Sequence, residues 1–199
     1  MLNLYSFPKT FHPMKDFLIA LGLIYSLFVP LEASDRYIPF NTQEPGREPL
    51  APEEAAAAMQ LPEGFSATLF AGEPDVRQPI AMKLDDRGRV WVAESYSYKE
   101  WEMKGEDRIL VFEDSDNDGK FDSRKIFYEK ATHLSGMVVG FGGVWICDSP
   151  NLEFIPDRDG DDVPDGPPEI VLDGFSTAAK HNFFNGLTWG LDGWLYGRH

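Results

Sequence analysis

Leu84-Asp85-Asp86-Arg87-Gly88-Arg89-Val90-Trp91-Val92-Ala93-Glu94-Ser95 reads as a strand, a tight turn and a second strand. The pattern returns as Val138-Val139-Gly140-Phe141-Gly142-Gly143-Val144-Trp145-Ile146-Cys147-Asp148-Ser149. It returns again as Leu187-Thr188-Trp189-Gly190-Leu191-Asp192-Gly193-Trp194-Leu195-Tyr196-Gly197-Arg198. The turns hold Gly88, Gly142-Gly143 and Asp192-Gly193, residues that reach positive φ at low cost, and an apolar run follows each turn. Trp91, Trp145 and Trp194 lie 54 and 49 positions apart, near the period of about 40–50 residues of propeller blades. The expectation is an all-β fold of repeated four-stranded sheets, with the three tryptophans in equivalent places.

Strands are predicted near 65–71, 79–84, 89–94, 109–112, 125–128, 137–140, 144–147, 152–155, 169–172, 186–189 and 193–196. Between Trp91 and the strand at 109–112 lies an aromatic, charged insertion, 96–107, whose Tyr96, Tyr98 and Trp101 either stack on a planar ligand or pack the loop itself. Cys147, the one cysteine, excludes an intrachain disulfide and any Cys-Cys metal site, and reads as a buried strand thiol.

Eighteen Lys and Arg against 33 Asp and Glu give a net charge of −15, which repels polyphosphate and argues against nucleic acid as a partner. Many of the acids are clustered. Asp114, Asp116, Asp118 and Asp122 fall in one loop, and Asp157, Asp159, Asp161 and Asp165 fall at the same place in the next repeat. A 1-3-5 spacing in a sharply turned loop aims oxygen ligands at one centre, which suits calcium; the other reading is a solvated acidic turn. Lys125 and Pro168 stand where an EF-hand would carry its bidentate Glu, and strands rather than helices flank both loops, so an EF-hand is rejected.

Residues 1–33 read as an export signal, with Lys9 and Lys15 ahead of the apolar run 17–29, which is shorter than the roughly 18–20 residues of a membrane span. That places the protein outside the cytoplasm, in the periplasm or cell envelope. Residues 34–60 read as a linker with a short helix over 52–59, and 61–199 as about two and a half blades of a propeller left incomplete in this chain.

Leu61-Pro62-Glu63-Gly64-Phe65, Ala71-Gly72-Glu73-Pro74, Gln78-Pro79-Ile80-Ala81-Met82, 88–95 and 185–197 resemble the membrane-bound dehydrogenase family of exported bacterial propellers. That family is related to soluble quinoprotein glucose and sorbosone dehydrogenases, and the resemblance covers about 52–199. It implies a six-bladed propeller, of which this chain is an N-terminal piece, often followed by a c-type haem module that would serve as electron acceptor. No Cys-x-x-Cys-His occurs here, so haem attachment within these residues is excluded. The resemblance also implies oxidation of a sugar or alcohol, with hydride passing to pyrroloquinoline quinone polarised by calcium. Gln78, His133 and His181 lie 13, 12 and 13 positions before the three repeat tryptophans. The loops they occupy are expected to converge on one end of a channel. His181, and more weakly His133, is the candidate proton acceptor, and Gln78 a candidate cofactor contact. A non-catalytic, calcium-stabilised propeller that binds glycan or a partner protein is the alternative. A calcium-dependent hydrolase is a third reading, because likeness of fold does not fix activity.

Overall fold

Alternating apolar residues pair into hairpins wherever a glycine-bearing turn joins them, and three antiparallel sheets result. The computed structural model describes residues 46, 49–97, 105–178 and 183–199. The first sheet is a meander of β1 (Pro79–Leu84), β2 (Val90–Glu94), β3 (Asp107–Glu113) and β4 (Ser123–Ala131). The second repeats it with β5 (Leu134–Val139), β6 (Gly143–Asp148), β7 (Asn151–Pro156) and β8 (Glu169–Leu172). The third is the hairpin of β9 (Asn185–Trp189) and β10 (Leu195–Arg198), and none of the three sheets closes on itself. Among the described residues one helix precedes them, α1 (Pro52–Ala57), with Pro52 in its first turn and Glu53 and Glu54 at its positive end. One compact unit spans Leu50–His199 and takes in α1. The export-signal reading of 1–33 falls outside the described residues. Among those described, no helix is long and apolar enough to cross a membrane.

The strand expected at 65–71 is not formed. Phe70 and Ala71 instead lay side chains on Val92, Leu110 and Phe112, and Phe70 contributes one carbonyl to the Phe121 N–H. The segment covers the first sheet without joining its ladder.

Successive sheets pack face to face through their first strands, β1 on β5 and β5 on β9. Trp91, Ile109, Val111 and Phe127 of the first sheet bury against Met137, Val144, Ile146 and Ile155 of the second. The opposite face of the second sheet, with Val138, Cys147 and Leu152, packs on Phe184 and Leu187. Trp91 is 2% exposed, and truncating a core side chain of that size costs about 3–5 kcal/mol.

The ladder corrects the expected equivalence of the tryptophans. Leu84 pairs with Val90, Val139 with Val144, and Trp189 with Leu195. One step further, Trp91 and Trp145 therefore match Tyr196, while Trp194 matches Arg89. The turn hydrogen bonds agree, since the N–H groups of Asp85 and Gly190 donate to the carbonyls of Arg89 and Trp194. In each copy the matching aromatic ties its polar edge back to its own turn: Trp91 Nε1 to Asp85 at 3.0 Å, Trp145 Nε1 to the Gly140 carbonyl at 3.2 Å, and Tyr196 Oη to Asp192 at 2.6 Å. The second turn is one residue shorter because Phe141 and Gly142, with φ of 56° and 80°, form a two-residue hairpin. Gly143 after it is obligatory, since a Cβ there would lie 2.2 Å from the Ile155 carbonyl oxygen.

Candidate functional site

The first strand of each sheet carries a bulge near its start, between Pro79 and Ala81, between Leu134 and Gly136, and opposite the Tyr196–Arg198 step in β9. Bulges re-aim side chains at the rims of sheets. At this end the carbonyls of Gln78 and His133 accept the N–H groups of Ser95 and Ser149, so these two residues are equivalent, as the spacing predicts. Gln78 is exposed, at φ 45°. His133 is buried, its ring edge-on to Phe183 at 5.2 Å and its backbone N–H on Asp148 at 2.7 Å. Counted from the ladder, the third member of the series is Phe183, five residues before Thr188 as Gln78 is before Lys83 and His133 before Val138. His181 lies two positions earlier, outside the described residues, as do Tyr98 and Trp101.

Three carboxylates are buried at the same end, and sequence reading did not single them out. Glu94 takes the Arg77 N–H at 2.6 Å, the Tyr96 hydroxyl at 2.9 Å and the Arg108 guanidinium, which also lies over the Tyr96 ring. Tyr96 is thus engaged within its own loop. Asp107 accepts from Ser97 N–H and Oγ and from the Leu134 N–H, joining the insertion to the start of β5. Asp148 takes Thr132 N–H and Oγ1 and the His133 N–H. Burial pushes the Asp148 carboxyl up, against those hydrogen bonds. For Glu94 and Asp148 the available signal was an acid three residues past Trp91 and Trp145. Cys147 is fully buried and burial pushes its thiol up to about 12, so it is inert packing.

Where β1, β5 and β9 face one another they line a cleft of about 360 Å³. Its polar lining is Lys83, Ser135, Asn185 and Arg198, with no carboxylate or histidine among the described residues. Arg198 Nε donates to Asn185 Oδ1 at 3.0 Å, and Ser135 Oγ to the Phe184 carbonyl at 2.7 Å. Lys83 was legible as the one charge in an otherwise apolar strand.

The two acidic loops occupy β3–β4 and β7–β8, and they share one backbone plan. Asp122 and Asp165 each bind the N–H of the loop's second residue, Ser115 or Arg158, at 2.7 and 2.8 Å. Asp118 and Asp161 each accept the N–H two residues on, both at 2.8 Å. Positive φ falls at Asn117 and Gly119 in one loop, and at Gly160 and Asp162 in the other. Of the eight predicted ligands, Asp114, Asp116 and Asp122 gather within 4.8 Å in the first loop, and Asp157, Asp159 and Asp161 in the second. Asp118 and Asp165 stand outside these groups.

The surroundings differ. Asp114 accepts Asp118 N–H at 3.2 Å on one oxygen and Gly119 N–H at 2.9 Å on the other. Asp157 is 9% exposed, and its Oδ1 is sealed from solvent without a hydrogen-bond partner. Burial, then the nearby Asp162 charge, pushes the Asp157 carboxyl above its ordinary value, against hydrogen bonds from the backbone N–H groups of Gly160, Asp161 and Asp162. Asp162 itself binds Arg89 at 2.7 Å, and Arg89 also binds Asp85 at 2.8 Å. Asp85 is held below the usual carboxylate range: burial opposes this, but the Trp91 and Arg89 hydrogen bonds outweigh it.

Fold and site define an all-β protein of repeated antiparallel sheets with acidic hairpin loops. The chain belongs to the family described as a domain of unknown function (DUF7133), whose model matches residues 51–199. No curated protein and no solved structure matches it.

Proposed function

We propose that the chain forms the opening blades of a six-bladed β-propeller, and that the cleft between its inner strands binds a small anionic or hydroxyl-rich molecule, a glycan among them. The observation that carries the binding reading is the cleft itself: three first strands converge on it, and it presents Lys83 and Arg198 in a chain of net charge −15. A few placed polar groups in an apolar concavity are what orient a small ligand. The ring is supported by the series Met82, Met137 and Leu187, which hold one ladder position. Met137 and Leu187 are each 1% exposed beneath the preceding sheet, whereas Met82 is 65% exposed on a face that a further sheet of the same kind would cover. Export to the periplasm or cell envelope is part of this proposal and rests on residues 1–33.

The quinone-dependent sugar or alcohol dehydrogenase is a second reading, favoured by the same two cations. Lys83 and Arg198 fit the carboxylates of pyrroloquinoline quinone, which when bound supplies a hydride acceptor for a substrate hydroxyl. His181 would take the hydroxyl proton, and a c-type haem module elsewhere would receive the electrons. Pyrroloquinoline quinone titrated against the purified chain, followed by tryptophan fluorescence, tests the cleft. Saturable binding, weakened about tenfold in Lys83→Ala and in Arg198→Ala, is expected, a loss of about 1.4 kcal/mol in each. Failure of the quinone and of neutral sugars to bind would overturn both readings. Binding accompanied by sugar-dependent dye reduction that His181→Ala abolishes would favour the enzyme over the scaffold.

A further inference from the structure

We propose that the β7–β8 loop is a calcium site held by Asp157, Asp159 and Asp161. Three carboxylate oxygens within 4.8 Å repel one another strongly unless a cation sits among them. Surface acids relieve that repulsion by turning to water, and Asp159 and Asp161 are exposed enough to do so. Asp157 is not: backbone N–H groups of Gly160, Asp161 and Asp162 reach its carboxyl, yet its Oδ1 is shut away from solvent with no hydrogen-bond partner. A buried carboxylate oxygen left unmatched is costly, and a bound cation is the partner that removes the cost for all three groups together.

The local cations are committed elsewhere. Arg89 and Arg87 serve Asp162 at 2.7 and 3.6 Å, Arg158 serves Asp165 at 3.5 Å, and Lys125 Nζ donates to the Asp161 carbonyl at 2.7 Å. These contacts fix the rim of the loop and leave the 157-159-161 triad for a metal. All-oxygen ligands with no imidazole or thiolate in the group select a hard ion, and an irregular loop suits calcium better than magnesium, which demands near-ideal octahedral geometry. Because Asp162 ties this loop to Arg89 of the first sheet, a bound calcium would also brace the junction of the first two sheets.

The test is calorimetric titration of calcium chloride into the full chain after chelator treatment, with thermal unfolding measured in parallel. Saturable binding and a higher melting temperature in calcium are expected, because a ligand of the folded state stabilises it by mass action. Asp159→Asn alters an exposed ligand and spares the packing. It should weaken the tightest calcium event at least about tenfold while leaving the circular dichroism spectrum native. The assignment fails if calcium neither binds nor raises the melting temperature, or if magnesium chloride binds as tightly. It also fails if Asp116→Asn, in the other loop, is the substitution that abolishes the event.

Discussion

The β3–β4 and β7–β8 loops carry aspartates in one register, yet the protein around them treats the two differently. In the first, the sixth position is Gly119, whose N–H closes onto Asp114, so both oxygens of that carboxylate are met from within the loop. In the second, the sixth position is Asp162 at φ 63°; its backbone N–H likewise reaches Asp157, but its side chain leaves the loop to bind Arg89. That outward tether coincides with a buried, unmatched Asp157 oxygen. Identical acidic spacing therefore describes a carboxylate met on both oxygens in one place and one that keeps a sealed, unmatched oxygen in the other. Spacing gathers the carboxylates, and the neighbours decide how far each of them is satisfied.

The sharpest way to break the comparison is Arg89→Met. Arg89 is buried between Asp85 and Asp162, and its removal leaves Asp85 without its cation and Asp162 with only the more distant Arg87, so a loss of about 3–5 kcal/mol is expected from urea unfolding. A loss below about 1 kcal/mol would mean that the tether does not distinguish the loops.

Acid titration probes the same tether with a smaller effect. Asp85 has a folded-state pKa below its unfolded value, so its contribution is present above about pH 4 and is lost as pH falls through the folded value. Asp85→Asn should be less stable than the parent at neutral pH and should show a shallower decline on acidification. Parallel acid limbs for the two proteins would remove Asp85 from the account.

The smallest expected effect is in the other loop. Gly119→Ala should cost about 1 kcal/mol, because φ there is +85° and a Cβ finds only ordinary contact with Thr68 at 3.4 Å. Equal stability of this variant and the parent would show that the turn relaxes, and that the sixth position does not hold Asp114 in place.

Much of this architecture is written locally. Period-two alternation and glycine turns place the strands from β1 to β10 within a few residues, because those signals act between near neighbours. The segment 65–71 alternates too, but its backbone finds no ladder partner and its side chains serve as a cover. The equivalence of Trp194 with Trp91 fails for a subtler reason. A two-residue offset keeps every side chain on the same face, so the pattern cannot detect it. Only the hydrogen-bonded register identifies Tyr196 as the matching aromatic and Phe183 as the partner of Gln78 and His133.

By itself, then, the sequence determined the sheet repeat, the hairpin turns and the pair of acidic loops, all of which depend on residues within a dozen positions of one another. The tertiary structure alone decided that Asp157 is sealed and Asp114 is satisfied. It alone assembled Lys83 and Arg198 at one cleft, although they lie 115 positions apart in the chain. Burial and long-range pairing are set by which sheet packs on which, and that information lies in the joint fit of distant faces rather than in any one stretch of chain.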